Sequence, residues 1–281
     1  MGRDTLLDRS LLRIPTLRAG LTTLLMQQLI LLGTFFVLPV YLQVVLGLDA
    51  FETGKRLFPL SVTMFIAALA GPRLAARLSP KRVAQAGLAA LAVATVLLLG
   101  TIDVQLEDTE FAIALSIFGV GAGLLMSQLG NVIMSSVDPS KTNEAGGLQG
   151  TFQNLGASLG TALIGSVLIA ALTSGFIDRV EQSSAVSQPV KEQVSAVAEA
   201  GIPVVPVDDV EEAARKAGAS EAEAAALADH YGDAQLQALK RSMGAVGIFA
   251  LLAFWFTRRL PPRALEQEPP STEAAVAPSP L

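Results

Sequence analysis

Six stretches free of Asp, Glu, Lys and Arg dominate the 281-residue chain: residues 19–48, 57–72, 83–102, 111–137, 145–177 and 242–257. A helix needs roughly 20 apolar residues to cross a hydrocarbon core of about 30 Å. The second and sixth stretches are shorter, but residues 53–78 and 240–257 reach that length once terminal Lys and Arg side chains snorkel to the headgroups. Backbone in lipid must satisfy its own hydrogen bonds, so each stretch is expected to be a helix. The expected fold class is an all-α integral membrane protein with six transmembrane helices. Only 16% of residues are charged and the mean hydropathy is +0.51, outside the range of soluble domains. The first eighteen residues hold four Arg and no apolar core, so no cleaved signal peptide is expected.

Lys and Arg set the expected orientation. One set of connections carries Arg3, Arg9, Arg13 and Arg18, then Arg73, Arg77, Lys81 and Arg82, then Lys141, then Arg258, Arg259 and Arg263. The opposite set holds only Lys55 and Arg56 in its first two loops, where Asp103, Glu107, Asp108 and Glu110 cluster instead. By the positive-inside rule both termini are expected in the cytoplasm, in the plasma membrane. The net charge of −5 gives no sign of a nucleic-acid partner, and the absence of cysteine removes disulfides, thiolate chemistry and Cys metal sites.

This divides the chain into a cytoplasmic N-terminal segment (1–18), helices one to five (19–177), a connection (178–239), helix six (240–257) and a cytoplasmic tail (258–281). The connection, with twelve acids and four bases, is expected to form an extracytoplasmic helical cap. Asp208 with Glu211, and Ser220 with Glu223, have capping-box spacing. The second is expected to open a helix that runs on towards the last span, with Gly232 as its weak point. His230 is expected to be solvated there. The tail is rich in Pro, Ser, Ala and Glu and is expected to be disordered.

Polar residues within the spans are uneven. Span one carries Gln27 and Gln28; span four has Gly119, Gly123, Ser127 and Asn131 at intervals of four, with Gln128 alongside. Span five has Gln149, Gln153 and Asn154, then Gly156 and Gly160. Small residues four apart let helices approach closely, and amides in hydrocarbon need partners or water. Spans one, four and five are therefore expected to face protein or a cavity, and spans three and six to face lipid. For Gln27, Gln28, Gln128 and Asn131, lining a substrate cavity and bonding between helices are both open. Gly119, Gly123, Gln149, Gln153, Gly156 and Gly160 are expected at helix-packing interfaces or at the interface with another half of the molecule.

Several motifs carry a family resemblance: Leu38-Pro-Val-Tyr-Leu-Gln43 followed by Val44-Val-Leu-Gly47, with Gly54 and Pro59 downstream; Gly119-Val-Gly-Ala-Gly123; and the glycine-rich run from Gly146 to Gly160. Up to its tail, the chain resembles the C-terminal six-helix half of a major facilitator transporter, in the fourteen-helix drug:proton antiporter branch. The resemblance implies two inverted three-helix repeats, with first and fourth helices lining the cavity, second and fifth meeting the other half, and third and sixth facing lipid. The stretch from Gly71 to Arg82 is similar to the family's cytoplasmic gating loop. Arg77 and Lys81 match, with Arg73 and Arg82 as further basic members, but Ala76 replaces the usual Asp and Ser79 the usual Gly.

No titratable residue lies mid-span, and Glu144 and Asp103 sit at span ends where water and headgroups are expected to hold them ionised. Proton coupling requires a titrating group in the pathway, so a second half is expected to supply it. The expected function is the C-terminal half of an exporter of drugs or amphipathic small molecules, working with a companion N-terminal half. A homodimerising half-transporter and a non-transporting membrane binding or scaffold protein remain open. No metal site, cofactor or enzyme chemistry is expected: Gly119-x-Gly-x-Gly123 falls mid-span rather than after a strand.

Overall fold

The computed structural model describes residues 11–198 and 201–257, and every regular element among them is helical. A short turn of 3-10 helix at Leu11–Arg13 leads into α1 (Pro15–Pro39). There follow α2 (Ala50–Leu78), α3 (Pro80–Thr101), α4 (Asp108–Met134), α5 (Thr142–Gln182), α6 (Gln188–Ala198), α7 (Val207–Lys216) and α8 (Glu221–Phe256). Of these, α1 to α5 and α8 are long and apolar enough to cross a membrane. The chain is a multi-pass membrane protein. The tail expected to be disordered lies outside the described residues.

Local chemistry explains the ends. Pro39 lacks an N–H, and beyond it the chain loosens into a π-helical turn at Val40–Val45, stopped by Gly47 at φ +65°. Asp49 opens α2, its Oδ1 accepting from the Glu52 N–H at 2.8 Å. Inside the helices, hydroxyls fold back on the preceding turn: Thr23 to the Ala19 carbonyl, Thr34 to Ile30 and Thr95 to Leu91, all at 2.8 Å. Such back-bonding leaves the hydroxyls satisfied without water.

Glycine contacts reveal the arrangement. Gly156 lies against Leu25 and Gln28, Gly160 against Leu29, and Gly33 against Ile164. The two sequences advance together, so α1 and α5 run parallel. Gly119 meets Leu60 and Met64, and Gly123 meets Met64 and Ala67, so α4 and α2 also run parallel. Gly20 meets Ile133, and Gly87 and Gly121 face each other backbone to backbone. The first helix of each triplet thus pairs with the second helix of the other, the relationship of two inverted three-helix repeats. At one end the Arg56 guanidinium pairs with Asp108 at 3.2 Å, joining the N-termini of α2 and α4.

The helices are not equally covered. In their most apolar windows α4 and α1 are 61% and 56% buried, against 28% for α5 and 17% for α2. Span five, expected to face protein or a cavity, has one face packed in the bundle and one uncovered. Gly156 and Gly160 turn in, but Asn154, Ser158, Thr161 and Ser166 stand exposed on the opposite side. The helix carries small and polar residues on two faces, which a count of residues along it does not separate. Helix α3, expected to face lipid, buries Leu88, Leu91, Ala94, Thr95 and Leu98 while exposing Val93, Val96 and Leu97.

Between α5 and α8 the polar connection folds into a cap. The Tyr231 hydroxyl donates to the Pro203 carbonyl at 2.8 Å and accepts from the Val205 N–H at 2.9 Å. Gln235 Nε2 donates to the Val205 carbonyl at 2.9 Å, and the Ile202 N–H to Thr173 Oγ1 at 3.2 Å. Ser220 and Glu223 form a reciprocal capping box, and the helix they open continues through Gly232 to Phe256. Two expectations fail. Pro206, not Asp208, precedes α7, and Asp208 falls in its first turn. His230 is only half-exposed, with Nε2 shielded from solvent and unpaired among the described residues, because α8 runs unbroken and turns that edge inward.

Candidate substrate cavity

Helices α1 and α4 carry the four candidate amides, Gln27 and Gln28 on the first and Gln128 and Asn131 on the second. Gln27 and Gln128 are each 1% exposed. Gln128 Nε2 donates to Ser127 Oγ at 3.0 Å, and that hydroxyl donates to the Leu124 carbonyl at 2.8 Å. Gln27 Oε1 is buried with no hydrogen-bond partner among the described residues. Gly20 faces Ile133 across the antiparallel pair, and at about 1.5 Å rise per residue this brings Gln27 and Gln128 within roughly 3 Å in depth. Gln28 is half-buried on α1 and Asn131 is exposed on α4, its Nδ2 reaching the Ser127 carbonyl at 3.4 Å. Two of the four candidate residues therefore reach a surface, and two form a polar layer behind them.

The close approach around these amides depends on glycine. A methyl group at Gly71 of α2 would overlap the Ser127 hydroxyl and come within 3.3 Å of Gln128 Nε2. Gly156 and Gly160 seat α5 on the α1 backbone, and Gly119 and Gly123 seat α4 on α2. All four ladder glycines thus pack within this bundle. Gln149 and Gln153 are half-buried on α5, and Gln149 Oε1 is shielded and unpaired among the described residues. Glu144 lies in the first turn of α5, where the helix dipole favours a carboxylate, but its Oε2 is likewise shielded and unpaired.

The basic stretch expected to be a gating loop is almost wholly helical. Arg73 and Arg77 lie on the last turns of α2, Lys81 and Arg82 on the first turn of α3, and Ser79 alone joins them. Arg73, Arg77 and Arg82 are exposed. Ser79 sits at φ +96° and ψ 146°, a backbone region nearly confined to glycine. That geometry gives a physical reason for the glycine found there in the family the chain resembles. In partial compensation Ser79 Oγ accepts from the Arg82 N–H at 3.5 Å.

Sequence reasoning gave no packing role to Tyr41, Gly33 or Gly71. The tyrosine is fully buried, stacked edge-on against Phe111 at 6.5 Å, with its hydroxyl bound to the α3–α4 connection. Its place beside Pro39 in a run of apolar residues was the available signal.

Residues 3–161, more than half the chain, match the family model for the Major Facilitator Superfamily. The chain belongs to that superfamily. A probable actinorhodin transporter of Streptomyces coelicolor is 29% identical over 177 residues, covering 62% of this chain and 30% of the relative. The tetracenomycin C resistance and export protein of Streptomyces glaucescens is 26% identical over 176 residues, 63% of this chain and 32% of its own. The multidrug efflux pump LfrA of Mycolicibacterium smegmatis is 27% identical over 165 residues, 59% of this chain and 32% of its own. The matched segment thus spans about a third of these relatives. The superfamily relatives are transporters rather than enzymes, and six helices arranged as inverted triplets are the architecture of one superfamily half.

Proposed function

We propose that these six helices form one half of a secondary transporter that exports drugs or amphipathic small molecules by alternating access. A companion N-terminal half completes the cavity and provides proton coupling. The observation that carries this reading is the unequal burial of the bundle: α2 and α5 leave most of their apolar windows uncovered, and α5 turns Asn154, Ser158 and Thr161 outward. An exposed amide in a transmembrane helix favours protein over lipid as its neighbour. The transport, export and efflux roles that the relatives' names carry support the substrate class. In this reading Gln28 and Asn131 touch substrate, Gln27 and Gln128 back them, and both termini lie in the cytoplasm of the plasma membrane.

A second copy of the chain is a further candidate for the companion. Phe51, Phe58 and Phe65 stand exposed on α2 at seven-residue intervals, while the uncovered face of α5 is rich in small residues. A two-fold pair would set large against small twice.

Reconstitution tests the proposal. With an N-terminal half supplied, Asn131→Leu and Gln28→Leu lower efflux and reorder substrates without lowering membrane abundance. Proteoliposomes of this chain alone show no substrate-dependent proton flux. Robust flux from the lone chain, abolished by Glu144→Gln, refutes the missing-half reading. Disulfide trapping between copies carrying Val62→Cys and Ala162→Cys identifies a homodimer.

A further inference from the structure

The cap contains a cavity of about 380 Å³ that the proposed transport pathway does not use. Its walls come from four helices: Phe176 of α5, Val190 and Val194 of α6, Val210 and Ala214 of α7, and Leu227 of α8. A volume of this size, apolar and open on one side, is within the usual range for small-molecule sites. The Tyr231 hydroxyl at its base is already committed to Pro203 and Val205, so it leaves the interior apolar. Polar groups enter at Gln193 and at the exposed carboxylate of Asp209.

Charge decides what fits. Residues 178–239 carry twelve acids and four bases. Each base is engaged elsewhere: Arg179 with the Gly175 carbonyl and Gln237, Lys191 with the Glu181 carbonyl, Arg215 with Glu211 and Lys216 with Glu212. Asp209 has no ion pair among the described residues, and it stands on the rim of an apolar cavity in an acidic field. We propose that the cap cavity binds lipophilic organic cations, the apolar body lying among the valines and the positive charge beside Asp209. A phospholipid tail fits the walls but would bring its phosphate against the same carboxylate. The site stands whether or not the helices transport.

Ethidium, a planar aromatic cation, tests this by fluorescence titration of the purified full chain in detergent against a micelle blank, with pyrene as the uncharged probe. Saturable binding of one ethidium per chain is expected. Val194→Trp and Ala214→Trp, which fill the cavity from different helices, weaken it by more than about tenfold. Asp209→Asn, an exposed change that leaves the fold intact, weakens ethidium by about threefold and leaves pyrene unchanged. No saturable binding, or binding that survives both Trp variants in folded protein, overturns the site. Equal affinities in Asp209→Asn and the parent chain overturn the cation assignment and mark an acyl-chain or purely apolar site.

Discussion

The buried Tyr41 hydroxyl donates to the Asp103 carbonyl at 2.6 Å and accepts from the Asp103 N–H at 3.1 Å. One side chain from the π-helical turn after α1 thereby satisfies both main-chain groups of Asp103 in the α3–α4 connection. Tyr41→Phe keeps the ring against Phe111 but strands both groups. A loss of about 1–3 kcal/mol is expected, read as a lower midpoint of thermal denaturation for the detergent-solubilised protein.

At Ser79 the backbone holds a conformation that costs a non-glycine residue about 1–3 kcal/mol. Ser79→Gly removes that strain and forfeits only a weak cap, worth a few tenths of a kcal/mol against glycine. The variant is expected to denature at a higher temperature than the parent. Ser79→Ala retains the strain, loses the cap and denatures lower. A Gly variant less stable than the Ala variant refutes the strained geometry.

Gly156 and Gly160 touch α1 through backbone. A methyl group at Gly156 would lie 3.0 Å from both Leu25 Cα and Gln28 Cβ, and one at Gly160 2.8 Å from Leu29 Cα. Gly156→Leu and Gly160→Leu are expected to force α5 off α1, at a cost of about 1–3 kcal/mol or more. Gly147 and Gly150 have open space beside them, so Gly150→Leu is tolerated. Gel-filtration profiles of the solubilised variants distinguish the two classes.

Outside the membrane, hydrogen bonds from Ser187 and Ser220 hold the Glu223 carboxyl down from 4.5 to about 2. A depressed carboxylate pKa stabilises the fold above the unfolded value and loses that contribution as pH falls. The junction of α6 and α8 is therefore expected to be intact above pH 4.5 and to loosen between pH 4.5 and about 2. Hydrogen exchange at the Ser187 amide, which donates to Glu223 Oε1 at 3.1 Å, reports this opening. In Glu223→Gln the protection of that amide, measured against its intrinsic exchange rate, no longer changes between pH 4.5 and about 2.

The proposed orientation has a direct test, because the chain contains no cysteine. Single cysteines at Ser184, beside the cap, and at Ser140, between α4 and α5, occupy opposite ends of α5 and are both exposed. The first is expected to react with an impermeant maleimide on intact cells and the second only after permeabilisation. The reverse order overturns the proposed topology.

Membrane insertion was legible in the sequence because hydrocarbon imposes a one-dimensional rule: about 20 apolar residues per crossing, with hydrogen bonds closed inside each helix. The capping box at Ser220 was legible for the same reason, since its partners lie three residues apart. What a residue faces across a helix is not local. Gln27 and Asn131 were equally polar in sequence, yet one is sealed between α1 and α4 and the other lies at the surface. Gly33 and Gly71 lie outside the ladders, and only the neighbours at Ile164 and Ser127 require them to be glycine. The cap cavity is the strongest case. Its walls come from residues 176, 190–197, 202–219 and 227–231, and no single helix among them forms a concave surface, so it exists only where their apolar faces converge.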